Sequence, residues 1–164
     1  MTDTTDTTTP ASTAVVTAAT GPDMRALGRR LGGLLRAGDV LILSGPLGAG
    51  KTTLTQGIGE GLGVRGPVTS PTFVISRIHP SLVGGPDLVH VDAYRLGDAA
   101  EVDDLDLDTT LPDSVTIVEW GEGVAEELSD DRLEVAIDRA SDDSRTVRLT
   151  GVGPRWAGVP LDAE

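Results

Sequence analysis

The 164-residue chain has no cysteine, which excludes thiol nucleophiles, disulfide frameworks, cysteine zinc sites and iron–sulfur clusters together. Aromatic residues are almost as scarce. One Phe, one Tyr and two Trp leave the core to be built from aliphatic side chains. No apolar run approaches the roughly 20 residues of a membrane span. The opening stretch Met1 to Thr13, rich in Thr and Asp, lacks both the positive start and the apolar centre of an export signal. A cytoplasmic protein without membrane attachment is expected. Positive charge is short as well: Lys and Arg total 13 against 26 Asp and Glu, a formal net charge of -13. A polyanion would be repelled by that field, so tight binding of tRNA by the chain alone is not expected.

Lysine is the scarcest basic residue. Lys51 is the only one, and it lies in Gly45-Pro46-Leu47-Gly48-Ala49-Gly50-Lys51-Thr52, a phosphate-binding loop of the form G-x-x-x-x-G-K-[ST]. A slim ammonium reaches the β- and γ-phosphates of a nucleotide where a planar guanidinium would not fit in the same way. The glycines let the backbone curl its N–H groups around the phosphates and deliver them to the positive end of a helix starting near Lys51. Thr52 then offers its hydroxyl to Mg. The context agrees: the apolar run Val40 to Leu43 enters the loop, and Leu54, Ile58 and Leu62 leave it at helical spacing before Gly63. With no second lysine there is no Asn/Thr-Lys-x-Asp segment to read guanine, no Schiff-base lysine and no Ser-Lys dyad, so the expected nucleotide is ATP.

The remaining pattern reads as one α/β domain over residues 14–150, between a disordered Thr-rich tail (1–13) and an irregular C-terminal tail (151–164). Ala14 to Ala18 reads as a strand. Thr20-Gly21-Pro22-Asp23 resembles a capping box opening a helix that runs to about Ala37, with Gly38 as its stop. Strand Asp39 to Ser44 and helix Lys51 to Leu62 flank the phosphate loop. Thr72 to Ile78, Leu88 to Val91, Val115 to Val118, Arg132 to Ile137 and Arg145 to Thr150 read as strands, and Gly123 to Leu128 as a short helix. The expected fold is a single-domain P-loop NTPase-like α/β fold, with a mixed, largely parallel central sheet flanked by helices.

Two of the apolar strands run into a carboxylate, Asp92 and Glu119. In an open α/β sheet ligands sit beyond the carboxyl ends of the strands, so both acids point toward bound Mg. One would hold the metal while the other polarises the attacking water or couples a loop to the γ-phosphate. Three of the four aromatic residues, Phe73, Tyr94 and Trp120, neighbour these candidates, and Ser70 and Thr72 carry hydroxyls suited to a γ-phosphate switch. Asp104, Asp106 and Asp108 imitate a calcium loop, but Thr109 replaces its glycine and Val115 its final glutamate, leaving a solvated acidic segment. His79 and His90 lack the paired spacing of a metal site and read as ordinary strand residues.

Taken in order, Gly48-Ala49-Gly50-Lys51-Thr52-Thr53, Thr69-Ser70-Pro71-Thr72-Phe73, His90-Val91-Asp92-Ala93-Tyr94-Arg95-Leu96 and Val118-Glu119-Trp120 resemble the signature of the TsaE (YjeE) family. The resemblance implies an ATPase that supports threonylcarbamoyl modification of adenosine in tRNA, acting with the proteins TsaD and TsaB. It implies that Gly48 to Thr53 hold the phosphates and that Thr52 and Glu119 bind Mg; Gly45 of the loop motif and the hydroxyls of Ser70 and Thr72 complete the expected nucleotide-binding set. Asp92 would sit by the γ-phosphate or a switch, Trp120 would stack or gate near the nucleotide, and residues near Thr20 would touch the base. Lys51, Asp92 and Glu119 would carry catalysis. A small-molecule kinase is the alternative that the phosphate loop alone also admits, although no arginine-bearing lid is evident.

Overall fold

The computed structural model describes residues 10–45, 50–64, 76–92, 113–119, 131–142, 144–157 and 161. Seven strands form one mixed sheet: β1 (Pro10–Ala18), β2 (Val40–Ser44), β3 (Ser76–His79), β4 (Asp87–Asp92), β5 (Ser114–Glu119), β6 (Arg132–Arg139) and β7 (Arg145–Val152). Their order is β1-β7-β6-β2-β5-β4-β3. Parallel pairing occupies the centre, where β2 lies between β5 and β6 and β4 lies beside β5. Antiparallel strands complete both sides. This is the expected α/β fold with a mixed sheet, and it puts the strand that feeds the phosphate loop in the middle.

Two helices, α1 (Gly21–Leu34) and α2 (Lys51–Leu62), share a core with alternate residues of the sheet. Leu41 and Leu43, Val115 and Ile117, Leu133 and Val135, and Val147 and Leu149 meet Met24, Leu27, Leu31, Leu54 and Ile58 in one cluster. The period-two pattern of the strands and the near-3.6 pattern of the helices thus converge on the same layer. Thr20 caps α1 by accepting the Asp23 N–H at 3.2 Å. Gly50 and Gly63 bracket α2 with φ of 105° and 76°, values that residues bearing a side chain rarely adopt.

The helices meet through glycine. A Cβ on Gly28 would lie 2.3 Å from the Leu54 carbonyl oxygen, and one on Gly57 would lie 2.2 Å from that of Arg25. Gly32 and Gly61 make the same close approach one turn further along. Above this contact Glu60 accepts from Arg25 Nε at 3.0 Å and from Arg29 Nη1 at 3.1 Å, joining the exposed sides of the two helices.

Several boundaries differ from the expectation. β1 begins at Pro10, so residues 10–13 belong to the sheet and not to a disordered tail, because β7 pairs with them antiparallel, Pro10 with Val152, Ser12 with Gly151 and Thr13 with Thr150, across one shift of register. α1 ends at Leu34, with Leu35 already extended, rather than at Ala37. Gly38, at φ 94°, serves the turn that follows. β7 continues to Val152 and leads into a 3-10 turn, Pro154–Trp156, that returns Trp156 and then Leu161 to the core. The segment after residue 150 is therefore part of the domain. Arg155 explains much of this: it pairs with the buried Asp39 at 2.9 Å, donates at 2.8 Å to the Leu34 carbonyl at the end of α1, and its guanidinium lies 4.2 Å over the Trp156 ring. The expected Gly123–Leu128 helix and the first half of the Thr72–Ile78 strand lie outside the described residues. Among the described residues no helix is long and apolar enough to cross a membrane.

Candidate functional site

The phosphate-loop strand β2 ends at Ser44, Gly45 follows, and the chain re-enters description at Gly50, which opens α2. Gly50 stands at the N-cap of α2 without a side-chain cap, and the positive end of the helix dipole lies there. Lys51, Thr52 and Thr53 form this first turn. Lys51 is largely buried and donates from Nζ to the Gly45 carbonyl at 2.9 Å.

Glu119 enters from the neighbouring strand. The parallel register of β2 and β5 pairs Leu43 with Glu119, and that of β4 and β5 pairs Asp92 with Glu119. Both strand-end acids therefore stand at the same level of the sheet, at the carboxyl edge where α2 begins. Glu119 Oε1 lies 4.0 Å from Lys51 Nζ. Its other oxygen, Oε2, is 2.6 Å from Nε2 of His90, which is completely buried. Among the described residues His90 Nδ1 has no hydrogen-bond partner.

A cavity of about 280 Å³ opens beside the loop. Thr20, Gly21 and Met24 at the start of α1 form one side, Gly50 and Thr53 another, and Arg145 at the head of β7 a third.

Of the residues singled out in the sequence, Gly45, Gly50, Lys51, Thr52, Thr53 and Glu119 gather at this edge, with Asp92 in register beside Glu119. Gly48, Ala49, Ser70, Thr72 and Trp120 lie outside the described residues. Two contributors escaped the sequence reading. His90 is no ordinary strand residue, because it holds the candidate metal-binding carboxylate. Arg145 was read only as the start of a strand, and nothing in its neighbours in sequence connects it with the cavity.

Comparison with known proteins agrees with this arrangement. The family model described as threonylcarbamoyl adenosine biosynthesis protein TsaE matches residues 18–147. The chain belongs to the TsaE family. A TsaE protein of Streptomyces coelicolor is 68% identical over 139 residues, covering 82% of this chain and 94% of its own. One from Bacillus subtilis is 42% identical over 135 residues, covering 82% and 83%. The crystal structure of Bacillus subtilis YdiB superposes with a TM-score of 0.71 at 34% identity, over 88% of this chain and 89% of that one. TsaE membership places the chain in tRNA threonylcarbamoyladenosine biosynthesis.

Proposed function

We propose that this TsaE-family chain is a magnesium-dependent ATPase whose turnover serves tRNA threonylcarbamoyladenosine formation together with TsaD and TsaB. The observation that carries the proposal is the convergence of Lys51, the start of α2 and Glu119 at one edge of the sheet. Lys51 supplies a point charge to the β- and γ-phosphates, and the first-turn N–H groups of α2 cradle them. The cavity at Thr20, Met24 and Arg145 takes the base and ribose.

The donor set suits magnesium. Thr52 and Glu119 offer hard oxygen ligands, and an ion of this kind is ordinarily held by one or two protein oxygens, with phosphates and water completing the shell. When bound, magnesium neutralises charge that develops on the phosphates. Glu119 would give an oxygen to the ion, and Asp92, in register beside it on β4, would be the second carboxylate that orients the attacking water. Family membership favours this reading over a small-molecule kinase. The net charge of -13 favours action through protein partners over direct capture of tRNA.

The test is ATP hydrolysis by the purified chain with and without TsaB and TsaD. Hydrolysis is expected to be slow alone, to rise when both proteins are added, and to be lost in Glu119→Gln while nucleotide binding persists. Equal rates with and without partners, or wild-type turnover by the variant, would refute the proposal. Transfer of phosphate to a small acceptor would replace it with the kinase.

A further inference from the structure

Glu119 is held by an unusual partner. Imidazole and carboxylate meet at 2.6 Å between side chains that are 0% and 8% exposed, so the contact is shielded from competing water. The sheet explains how they meet. His90 is in register with Ile117, two residues before Glu119, and alternation places His90, Ile117 and Glu119 on the same face of β4 and β5. The other ring nitrogen, Nδ1, has no partner among the described residues. A proton on Nε2 lets the ring donate to Glu119, and a bare Nδ1 lone pair costs less to bury than an N–H without an acceptor.

This leaves the two oxygens of Glu119 in different situations. Oε2 is engaged by His90 and Oε1 faces Lys51 at 4.0 Å. Free rotation of the carboxylate is suppressed. We propose that His90 is a positioning residue that clamps Glu119 through Oε2 and thereby presents Oε1, in one fixed orientation, to the magnesium of the bound nucleotide. This inference rests on the proposed ATPase function. Partners of this kind ordinarily account for about 10- to 100-fold in metal affinity when removed.

The experiment compares wild type, His90→Leu and His90→Gln. ATP binding is measured calorimetrically across a magnesium titration, and folding is checked by thermal melting. Leucine removes the donor, whereas the glutamine amide can donate from about the position of Nε2. His90→Leu is expected to raise the magnesium concentration for half-maximal stabilisation of the ATP complex about 10-fold or more, with metal-free ATP affinity within about twofold of wild type. His90→Gln should recover most of the loss. In a Glu119→Gln background the leucine change should have no further effect on magnesium dependence.

A second readout needs neither metal nor nucleotide. The chain has only two histidines, so long-range proton–nitrogen spectra resolve the His90 ring, which should carry its proton on Nε2 and respond to Glu119→Gln. An unchanged magnesium requirement in a folded His90→Leu protein, or a ring protonated on Nδ1 and indifferent to Glu119→Gln, overturns the positioning role alone. A wild type that binds no magnesium nucleotide overturns the ATPase function, and the positioning role with it.

Discussion

Lys51 has a largely buried side chain, and the proposed nucleotide site asks that its charge serve a ligand. Its contacts with the Gly45 carbonyl and, at longer range, Glu119 moderate the cost of burial. Lys51→Ala removes the charge while leaving the aliphatic core beneath α2 in place. Magnesium ATP at about one hundred times its dissociation constant is expected to stabilise wild type by roughly 2.7 kcal/mol. In Lys51→Ala that increment should vanish in a thermal-shift measurement while the melting temperature without nucleotide stays close to wild type. A nucleotide shift equal to wild type would count against the role of Lys51. At this scale the site was legible wherever chemistry is concentrated in contiguous residues, as it is from Gly45 to Thr52. His90 was not, since its meaning depends on which residue of β5 lies opposite it, and pairing between strands 29 positions apart leaves no local mark.

The α1–α2 contact shows how composition becomes geometry between elements. Glycine in a helix interior costs about 1 kcal/mol relative to alanine, yet both helices place glycine at their contact, where the gain is close backbone approach. Gly28→Ala should destabilise the fold by about 1–3 kcal/mol through overpacking against the Leu54 carbonyl. Gly33→Ala, where a Cβ would meet nothing, should stabilise it by about 0.5–1 kcal/mol. Urea denaturation of the two variants separates these signs. Glu60 adds a pH dependence. Hydrogen bonds from Arg25 and Arg29 lower its carboxyl from the ordinary 4.5 to about 2. A depressed value in the folded state means that the stabilisation is present above the ordinary carboxylate range and is lost as pH falls toward the depressed one. The stability difference between wild type and Glu60→Gln should therefore be constant near neutrality and close between pH 4.5 and about 2. The bounds of α2 were legible because Gly63 and the phosphate loop mark them locally. The end of α1 was not, since Arg155 satisfies the Leu34 carbonyl from 121 residues away.

Across the whole molecule the fold is closed by its latest segment. Trp156 is completely buried, Leu161 nearly so, and Arg155 ties Asp39 to the end of α1. Removing residues 153–164 should cost at least about 3 kcal/mol, the scale of deleting one buried tryptophan, and denaturant unfolding measures it. A truncated chain as stable as the full one would show that the turn only decorates the core. Fold class was legible from the strand–loop–helix unit around Lys51, and the parallel centre followed from it. The packed C-terminal segment was not, because glycine and proline punctuation from Gly151 to Pro160 reads as irregular chain even where one tryptophan and one arginine anchor it. The strand order has one more effect. β1, near the start of the chain, finds its neighbour only in β7, with Pro10 opposite Val152. On the ribosome β1 emerges well before β7, the strand with which it pairs, and waits for it while the intervening strands are made. Completion of that side of the sheet is thereby deferred until β7 has been made, and until then the unpaired backbone of β1 is an open edge to which another chain could add.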